Sequence, residues 1–294
     1  MSPMVPLDRM EQIAVGIDHA EGICVAPDGT LYVSGEAGQI YSVDEAGVAT
    51  VVASTGGFGL GLAADGAGRV YMCDSAKRAV MRWTPGGGDP EVWTTGAPGA
   101  PFLTPNWGAF GPDGSYFVTD SGGWKARDGR VLVVRPGRGP ATARTALWTD
   151  GSADFPNGLA LTPDGRELWV LESTPGRLVA FDIRADGSAG PRRVVVDLPG
   201  TVPDGLAFAQ DGSVVIACYR PDIVYRWSAT GGVEVLAHDP EGTILAAPTN
   251  VAFTGSERDA IVVPNIGRWH ATRFRVPGLV GVPLFHPTPE SIGD

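Results

Sequence analysis

Cysteine and long apolar runs are scarce in this sequence, and each scarcity excludes a class of protein. The three cysteines, Cys24, Cys73 and Cys218, are far apart and odd in number, which excludes a disulfide framework and the ligand spacing of a zinc site. A reducing compartment is the simplest explanation, so we predict a cytoplasmic protein. No apolar run approaches the roughly 18 residues of a membrane span, and residues 1–17 lack a signal-peptide pattern, so no membrane association is expected.

Positive charge is also in short supply. Lys and Arg number 22 against 33 Asp and Glu, which gives a net charge of −11 at pH 7. A nucleic-acid-binding protein needs a basic face, so we expect no nucleic-acid partner. The acidic residues are spread along the chain, where they favour solubility, and their field attracts a cation rather than an anionic polymer.

Uninterrupted helical segments are missing as well, because the 42 glycines and 25 prolines break almost every candidate window. This proportion of Gly and Pro, without a collagen period, means either disorder or many tight turns. Regular apolar runs lie between the turns and argue against disorder. We therefore predict an all-β protein with many tight turns.

Six copies of one pattern run through the chain. Each copy has a first residue that is usually polar, then an apolar run, a turn such as Pro-Asp-Gly and a second apolar run. We call the first residues the lead residues; they are Glu21, Leu60, Asn106, Asn157, Asp204 and Asn250. Their spacings of 39, 46, 51, 47 and 46 residues are typical of β-propellers, which have four strands in each repeat. We predict one domain over residues 1–294, a six-bladed β-propeller.

The sixth repeat shows only three strands, and an open sheet edge is a liability. Residues 12–16 precede the first repeat and belong to none of the six. We predict that this N-terminal segment forms the outer strand of the last blade, beside residues 271–276. The two ends of the chain would then close the ring.

The first strands of a propeller line its central channel, so the lead residues should converge at one mouth. Five of the six carry a side-chain oxygen, and Glu21 and Asp204 supply two negative charges. A turn role is the alternative for Asn or Asp before Gly, but it does not explain Glu21, nor Asn106 and Asn250, which no Gly follows. Such oxygens suit Ca²⁺, with Mg²⁺ and Mn²⁺ open, while the lack of His and Cys disfavours Zn²⁺ without excluding it.

The second strand of each blade returns to the same mouth, so its last residues are further candidates. They are Ser34, Asp74, Asp120, Glu172, Tyr219 and Asn265. We assign Glu172 and Tyr219, together with Asn250, to substrate binding; the alternative for each is a contact to loop backbone. Several aromatic residues on this side either wall an apolar pocket or pack between blades: Phe58, Phe102, Trp107, Trp124 and Trp269. His19, two residues before Glu21, could also approach the rim.

In this order and register, four motifs resemble the SMP-30/gluconolactonase/luciferin-regenerating-enzyme-like family over nearly the whole chain. They are Glu21-Gly22, Phe155-Pro156-Asn157-Gly158-Leu159, Pro203-Asp204-Gly205-Leu206 and Pro248-Thr249-Asn250-Val251. The resemblance implies a divalent metal held by Glu21, Asn157 and Asp204, with Asn106 as a further ligand or a substrate contact. It also implies hydrolysis of a lactone or related ester, with Asp204 or water on the metal as the active group and Glu21 beside it. Whether Asp204 is a ligand or a free base stays open.

One motif departs from this family. Sugar-lactone members usually have Arg-x-Asn-Asp where this chain has Thr104-Pro105-Asn106-Trp107. A polyhydroxylated substrate would lose hydrogen-bonding partners there, and Trp107 suggests a more apolar one. We predict substrate contacts by Asn106 and Trp107 and a substrate less polar than an aldonolactone.

The predicted function is therefore a metal-dependent lactonase or esterase acting on a small molecule. Two alternatives come from other classes. A non-hydrolytic propeller enzyme of secondary metabolism, a cyclase or condensing enzyme, would use the same mouth, because fold alone does not determine the reaction. A protein-binding platform would need no metal, and the polar ring of lead residues disfavours it.

Overall fold

The computed structural model describes residues 3–288 and residue 292, and in this part of the chain six four-stranded antiparallel sheets surround a channel. Blade 1 consists of β2 (Ile23–Val25), β3 (Leu31–Ser34), β4 (Gln39–Val43) and β5 (Ala49–Ser54). Blade 2 consists of β6 (Gly59–Ala64), β7 (Val70–Asp74), β8 (Ala79–Trp83) and β9 (Glu91–Thr94). Blade 3 consists of β12 (Pro105–Phe110), β13 (Tyr116–Asp120), β14 (Arg130–Val134) and β15 (Thr145–Thr149). The first strand of each blade contacts the first strands of its two neighbours. The predicted six-bladed propeller is confirmed.

Blades 4 and 5 and the composite blade 6 follow the same plan. Blade 4 consists of β16 (Pro156–Leu161), β17 (Glu167–Glu172), β18 (Arg177–Asp182) and β19 (Arg193–Asp197). Blade 5 consists of β20 (Val202–Phe208), β21 (Val214–Arg220), β22 (Ile223–Ser228) and β23 (Gly232–His238). Blade 6 consists of β24 (Ala252–Thr254), β25 (Ala260–Asn265), β26 (His270–Arg275) and the N-terminal strand β1 (Glu11–Ile13). Outside the blades lie a 3₁₀ turn (Leu7–Arg9), the short hairpin β10 (Gly96–Ala97) and β11 (Ala100–Pro101), and helix α1 (Ala141–Arg144). No described helix is long and apolar enough to cross a membrane.

The N-terminal strand closes the ring as the sequence predicts. Strand β1 pairs antiparallel with β26, with Gln12 opposite Thr272 and Ile13 opposite Ala271. The strand is shorter than expected, because Ala14 takes a positive φ of 52° and the chain turns away. Ile13 is 3% exposed and packs in a buried cluster with residues of blades 1 and 6, so this strand contributes to the core as well as to the edge.

The core lies between the blades rather than within them. The described residues form six buried apolar clusters, and each is shared by two neighbouring blades. One of them joins Phe117 and Val131 of blade 3 to Leu168 and Val179 of blade 4. A single blade would leave these faces in water, so closure of the ring is what buries them.

The segment that follows β26 runs across the face opposite the lead residues; we call residues 277–288 the tail. Gln210 N–H donates to Val280 O (2.8 Å), and Gly66 N–H donates to Pro287 O (2.8 Å). These partners belong to turns of blades 5 and 2, so the tail crosses the channel and is fixed on both sides of it.

Candidate metal centre

The lead residues are held in a ring partly by hydroxyl groups, which join the start of four of the six first strands to a neighbouring blade. The bonds run from Ser34 Oγ to Leu60 O (2.6 Å), Thr119 Oγ1 to Asn157 O (2.7 Å), Ser173 Oγ to Pro203 O (2.7 Å) and Thr249 Oγ1 to Glu21 O (2.8 Å). Each donor comes from the blade before its acceptor. Two of these bonds fix the backbone of Glu21 and Asn157 directly.

The glycines after the lead residues are required by close packing and not by turns. A Cβ at Gly158 would lie 2.4 Å from Asp204 O, and one at Gly205 would lie 2.3 Å from Asn250 Oδ1. Both glycines lie inside first strands and neither has a positive φ. The turn role weighed for these Asn-Gly and Asp-Gly pairs is therefore wrong: the glycines let adjacent lead residues approach each other around the ring.

Glu21 and Asp204 form a buried pair of carboxyl groups. Burial raises the pKa of Asp204 well above its usual range; the charge of Glu21 raises it further, and a hydrogen bond from the Asn157 side chain lowers it. Burial, and then the charge of Glu36, raises the pKa of Glu21 to about 8. Glu21 Oε2 is buried without a hydrogen-bond partner, and neither carboxylate has an ion pair among the described residues.

Asn157 and Asn106 add amide groups to this pair. Asn157 is 6% exposed, and its Nδ2 donates to Ser173 Oγ (3.2 Å), which orients the side chain. Asn106 is buried to the same degree, and its side chain makes no hydrogen bond with the described residues. Its amide atoms keep contact with solvent, so water or a ligand can bind them.

This donor set fits a divalent cation. Two buried carboxylates repel each other unless a proton or a cation neutralises them. The unpartnered Glu21 Oε2 and the neutral amides supply the hard oxygen atoms that Ca²⁺ and similar ions prefer. Asn250 contributes less, because its Oδ1 accepts from Val251 N–H (2.8 Å) and lies against Gly205.

A second group of polar residues, which the sequence analysis found only in part, lies near Glu21. His19 Nδ1 is 2.7 Å from Asp18 Oδ1 and 2.8 Å from Glu36 Oε2. These three residues are the one described cluster of His, Cys, Asp or Glu whose ligand atoms lie mutually close. Glu36 lies two residues after Ser34, the last residue of the second strand β3. Extending the set of candidates from the last residue of each second strand to the two residues that follow it would have included Glu36.

The ends of the second strands serve mainly to hold loops. Glu172 is fully buried, and its carboxylate accepts from Ser152 Oγ (2.9 Å) and from Arg192 Nε and Nη2 (3.1 and 2.6 Å). Asp120 similarly accepts from the backbone of Leu103 and Thr104. The loop-contact alternative thus describes Glu172 in this structure, and its assignment to substrate binding finds no free acceptor atom there.

Tyr219 and Trp107 are placed differently from each other. Tyr219 is half-buried at the lead-residue mouth, and the guanidinium of Arg220 lies 4.5 Å from its ring centroid. Trp107 is 8% exposed and belongs to the buried cluster of blades 3 and 4 with Phe117 and Leu159. It lines the channel wall directly below the ring, where it also packs between blades, and its contact with substrate stays a prediction.

Aromatic side chains stand on two opposite sides of the mouth. Trp124 is half-exposed and packs edge-to-face on Phe155, with ring centroids 4.9 Å apart. Trp269, also half-exposed, packs on His19 at 5.1 Å. Phe155 and His19 each precede a lead residue by two positions, in blades 4 and 1, and these blades face each other across a six-membered ring.

The raised pKa of Glu21 predicts how pH affects the metal-free protein. A carboxyl whose folded-state pKa is raised stabilises the fold below its ordinary pKa, and that stability is lost as pH rises towards about 8. A cation requires the ionised form, so its stabilising effect should grow over the same range. We expect Ca²⁺ to raise the melting temperature of chelator-treated protein more at about pH 8 than at about pH 5.5. Glu21→Gln should flatten this dependence, and an unchanged slope would contradict the assignment.

Comparison with known proteins shows the family of this chain. A sequence model described as the SMP-30/Gluconolactonase/LRE-like region matches residues 11–265. The chain belongs to this family. A search of curated protein sequences finds no match to the chain.

Solved structures with a similar fold include several enzymes. A gluconolactonase from Xanthomonas campestris superposes with a TM-score of 0.75 at 21% identity, over 91% of this chain and 89% of that chain. Regucalcin from Agrobacterium tumefaciens, a calcium-binding protein, gives 0.71 at 18% identity, over 97% of each chain. Virginiamycin B lyase from Staphylococcus aureus gives 0.60 at 16%, over 91% of this chain and 88% of that chain. At these identities the likeness shows the shared fold.

Proposed function

We propose that this member of the family is a divalent-metal-dependent hydrolase of a small lactone or related ester, with Ca²⁺ as the first candidate ion. The paired carboxyl groups of Glu21 and Asp204 carry the proposal, because Asp204 and Glu21 Oε2 are buried and neither residue has an ion pair among the described residues. Family membership supports a lactonase-type reaction, as does the similarity to a gluconolactonase. The similarity to a calcium-binding protein supports a divalent ion.

Glu21, Asn157 and Asp204 would hold the ion, with Asn106 as a fourth ligand or a substrate contact. When bound, the cation supplies Lewis-acid polarisation of the ester carbonyl and stabilises negative charge on its oxygen. Asp204 and Glu21 are the proposed catalytic residues. A carboxylate oxygen of this pair that does not contact the ion would take the proton of an attacking water. The Asn106 amide, which has no hydrogen-bond partner among the described residues, can donate a hydrogen bond to a substrate oxygen.

The substrate is proposed to be less polar than an aldonolactone. The two aromatic pairs around Trp124 and Trp269 offer apolar walls on opposite sides of the mouth. Thr104 stands where sugar-lactone relatives usually carry Arg, and its backbone is held by Asp120. Tyr219 and Asn250 line the remaining sides of the ring as proposed substrate contacts. All three cysteines are buried free thiols, and we propose a reducing, cytoplasmic setting.

The test is metal analysis of the purified protein, followed by a panel of lactones and esters with and without EDTA. We expect one divalent ion per chain, loss of hydrolysis in EDTA, and alkyl or aryl lactones turned over at least about tenfold better than aldonolactones. Trp124→Ala and Trp269→Ala should reduce that preference, whereas Val92→Ala, exposed on an outer strand, should not. Cation binding without hydrolysis of any substrate would favour the non-hydrolytic enzyme, and absence of cation binding would favour the binding platform.

A further inference from the structure

The channel contains a cavity of about 490 Å³ below the ring of lead residues. All six blades line its upper part with apolar side chains: Ile23, Leu62, Trp107, Leu159, Leu206 and Val251. These residues lie one or two positions after the lead residues. The cavity therefore begins directly beneath the candidate metal centre but is walled by different side chains.

Small side chains keep the middle of this cavity open. Ala63, Ala109, Ala160 and Ala207 each stand three residues after a lead residue, in four consecutive blades, and all four line the cavity. Each is half-buried, while the residues on either side of it in its strand are buried. The corresponding residues of blades 1 and 6 are Cys24 and Phe253, which also line the cavity, so larger residues in the other four blades would fill the channel. The repeated alanine leaves space that a hydrocarbon chain can occupy.

The tail narrows the opening on the far side. Val282 N–H donates to Phe208 O (3.2 Å), and a ring nitrogen of His286 lies 3.1 Å from Val25 O. Leu284 and Phe285 lie between these anchors and line the cavity. The tail thus places apolar side chains across the opening opposite the lead residues. These side chains extend the apolar wall of the cavity and carry no charge.

One cationic group stands at the rim. Arg258, in the turn between β24 and β25, donates from Nε to Gly281 O (3.1 Å) and accepts from Gly281 N–H (2.9 Å) through its backbone. Its two terminal nitrogens have no partner among the described residues, and the side chain lines the cavity. The other described titratable groups that line it are Cys24, His286 and Asp28. The Asp28 carboxylate accepts from Thr30 N–H (2.9 Å).

We propose that this cavity binds a medium-chain fatty acid, with its hydrocarbon chain among the alanines and its carboxylate on Arg258. An apolar cavity of roughly 150 Å³ is large enough to bind benzene, so this one has room for a chain of about ten carbons. A guanidinium with two unused N–H edges matches a carboxylate in charge and geometry. The site uses neither Glu21 nor Asp204 and does not depend on the proposed hydrolysis.

The test is calorimetric titration of the lipid-stripped full chain with decanoate and, separately, with decanol. We expect decanoate to bind about tenfold more tightly than decanol. Arg258→Gln should remove that difference by weakening decanoate alone. Ala160→Trp, which fills the cavity, should weaken both ligands at least about tenfold. Brominated decanoate should quench tryptophan fluorescence, and Trp107→Phe should remove a part of that quenching.

Two matched variants serve as controls. Arg275→Gln removes a nearby exposed arginine that pairs with Asp259, and Val194→Trp adds the same bulk on an outer strand of blade 4. Neither should change binding. If Ala160→Trp fails to fold, Ala109→Leu fills the same level with a smaller side chain. Lack of decanoate binding by the parent chain, or binding that the folded filling variants leave unchanged, would overturn the proposal. Equal binding of decanol and decanoate, with no effect of Arg258→Gln, would overturn the carboxylate contact.

Discussion

Replacing Asp204 with Asn should abolish divalent-cation binding and lower lactone turnover by about 10³-fold while leaving the propeller intact. The substitution keeps the size of the side chain and removes one of the two buried carboxylates. Since burial and mutual repulsion disfavour the ionised forms of Glu21 and Asp204 without a cation, the metal-free variant should be at least as stable as the metal-free parent at neutral pH. Calorimetric cation titration, melting curves with and without Ca²⁺, and steady-state kinetics measure the three effects.

Asp211→Asn is the matched control for this experiment. Asp211 lies in the same blade, at the turn after β20, where it is part of a partly exposed ion pair with Arg226. Its loss should leave cation binding and turnover unchanged and cost less than about 1 kcal/mol of stability. If Asp204→Asn still shows a cation-induced rise in melting temperature and retains turnover, the carboxylate pair is not the metal centre.

Replacing Arg192 with Met should lower the free energy of unfolding by about 2–4 kcal/mol, because it leaves a buried carboxylate with one hydroxyl partner. Glu172 is 1% exposed at its side chain and Arg192 is 27% exposed, so the pair is largely shielded from water. The hydrogen bond that Arg192 donates to Glu172 also raises the pKa of the Arg192 guanidinium. The double variant with Glu172→Met should recover a part of the loss, since no charge then remains buried. Urea denaturation of the parent, Arg192→Met, Glu172→Met and the double variant completes the double-mutant cycle.

The neighbouring residue provides the control. Arg193→Met breaks an ion pair with Glu167 in which both side chains are partly exposed, 48% and 26%, so it should cost less than about 1 kcal/mol. Equal losses for Arg192→Met and Arg193→Met would mean that Glu172 is not stabilised by its partner. In that case a role of Glu172 in substrate binding would become the better explanation for its position.

Register explains why much of the architecture was predictable from the sequence. The repeat spacing gives the number of blades, because each copy can bury its faces only against the next one. The missing strand of the last repeat identifies the N-terminal segment as its partner, and β1 occupies that place. The lead residues converge because each begins a first strand, and that position can be read from the distance to the following turn.

The position of a residue in the repeat does not show which polar side chains already have hydrogen-bond partners within the protein. Glu21 and Glu172 are both carboxylates at the predicted mouth, yet one has a buried unpartnered oxygen and the other binds Ser152 and Arg192. Their partners come from loops whose course the pattern does not determine. The same holds for Trp107: the bulge between Pro105 and Trp107 in β12 shifts the register of the strand, and its ring packs below the mouth.

The sequence by itself determined the all-β class, the six blades, the closing strand and the ring of oxygen-bearing lead residues, since all of these follow from local period and turn chemistry. Only the tertiary structure decided which carboxylates are free, which side of the ring Trp107 faces, and that the tail crosses the far mouth. These depend on contacts between distant parts of the chain, such as His286 with Val25, 261 residues apart. A repeat pattern describes each blade and its neighbour, whereas the tail follows no repeat and takes its path from the surface that the closed ring presents.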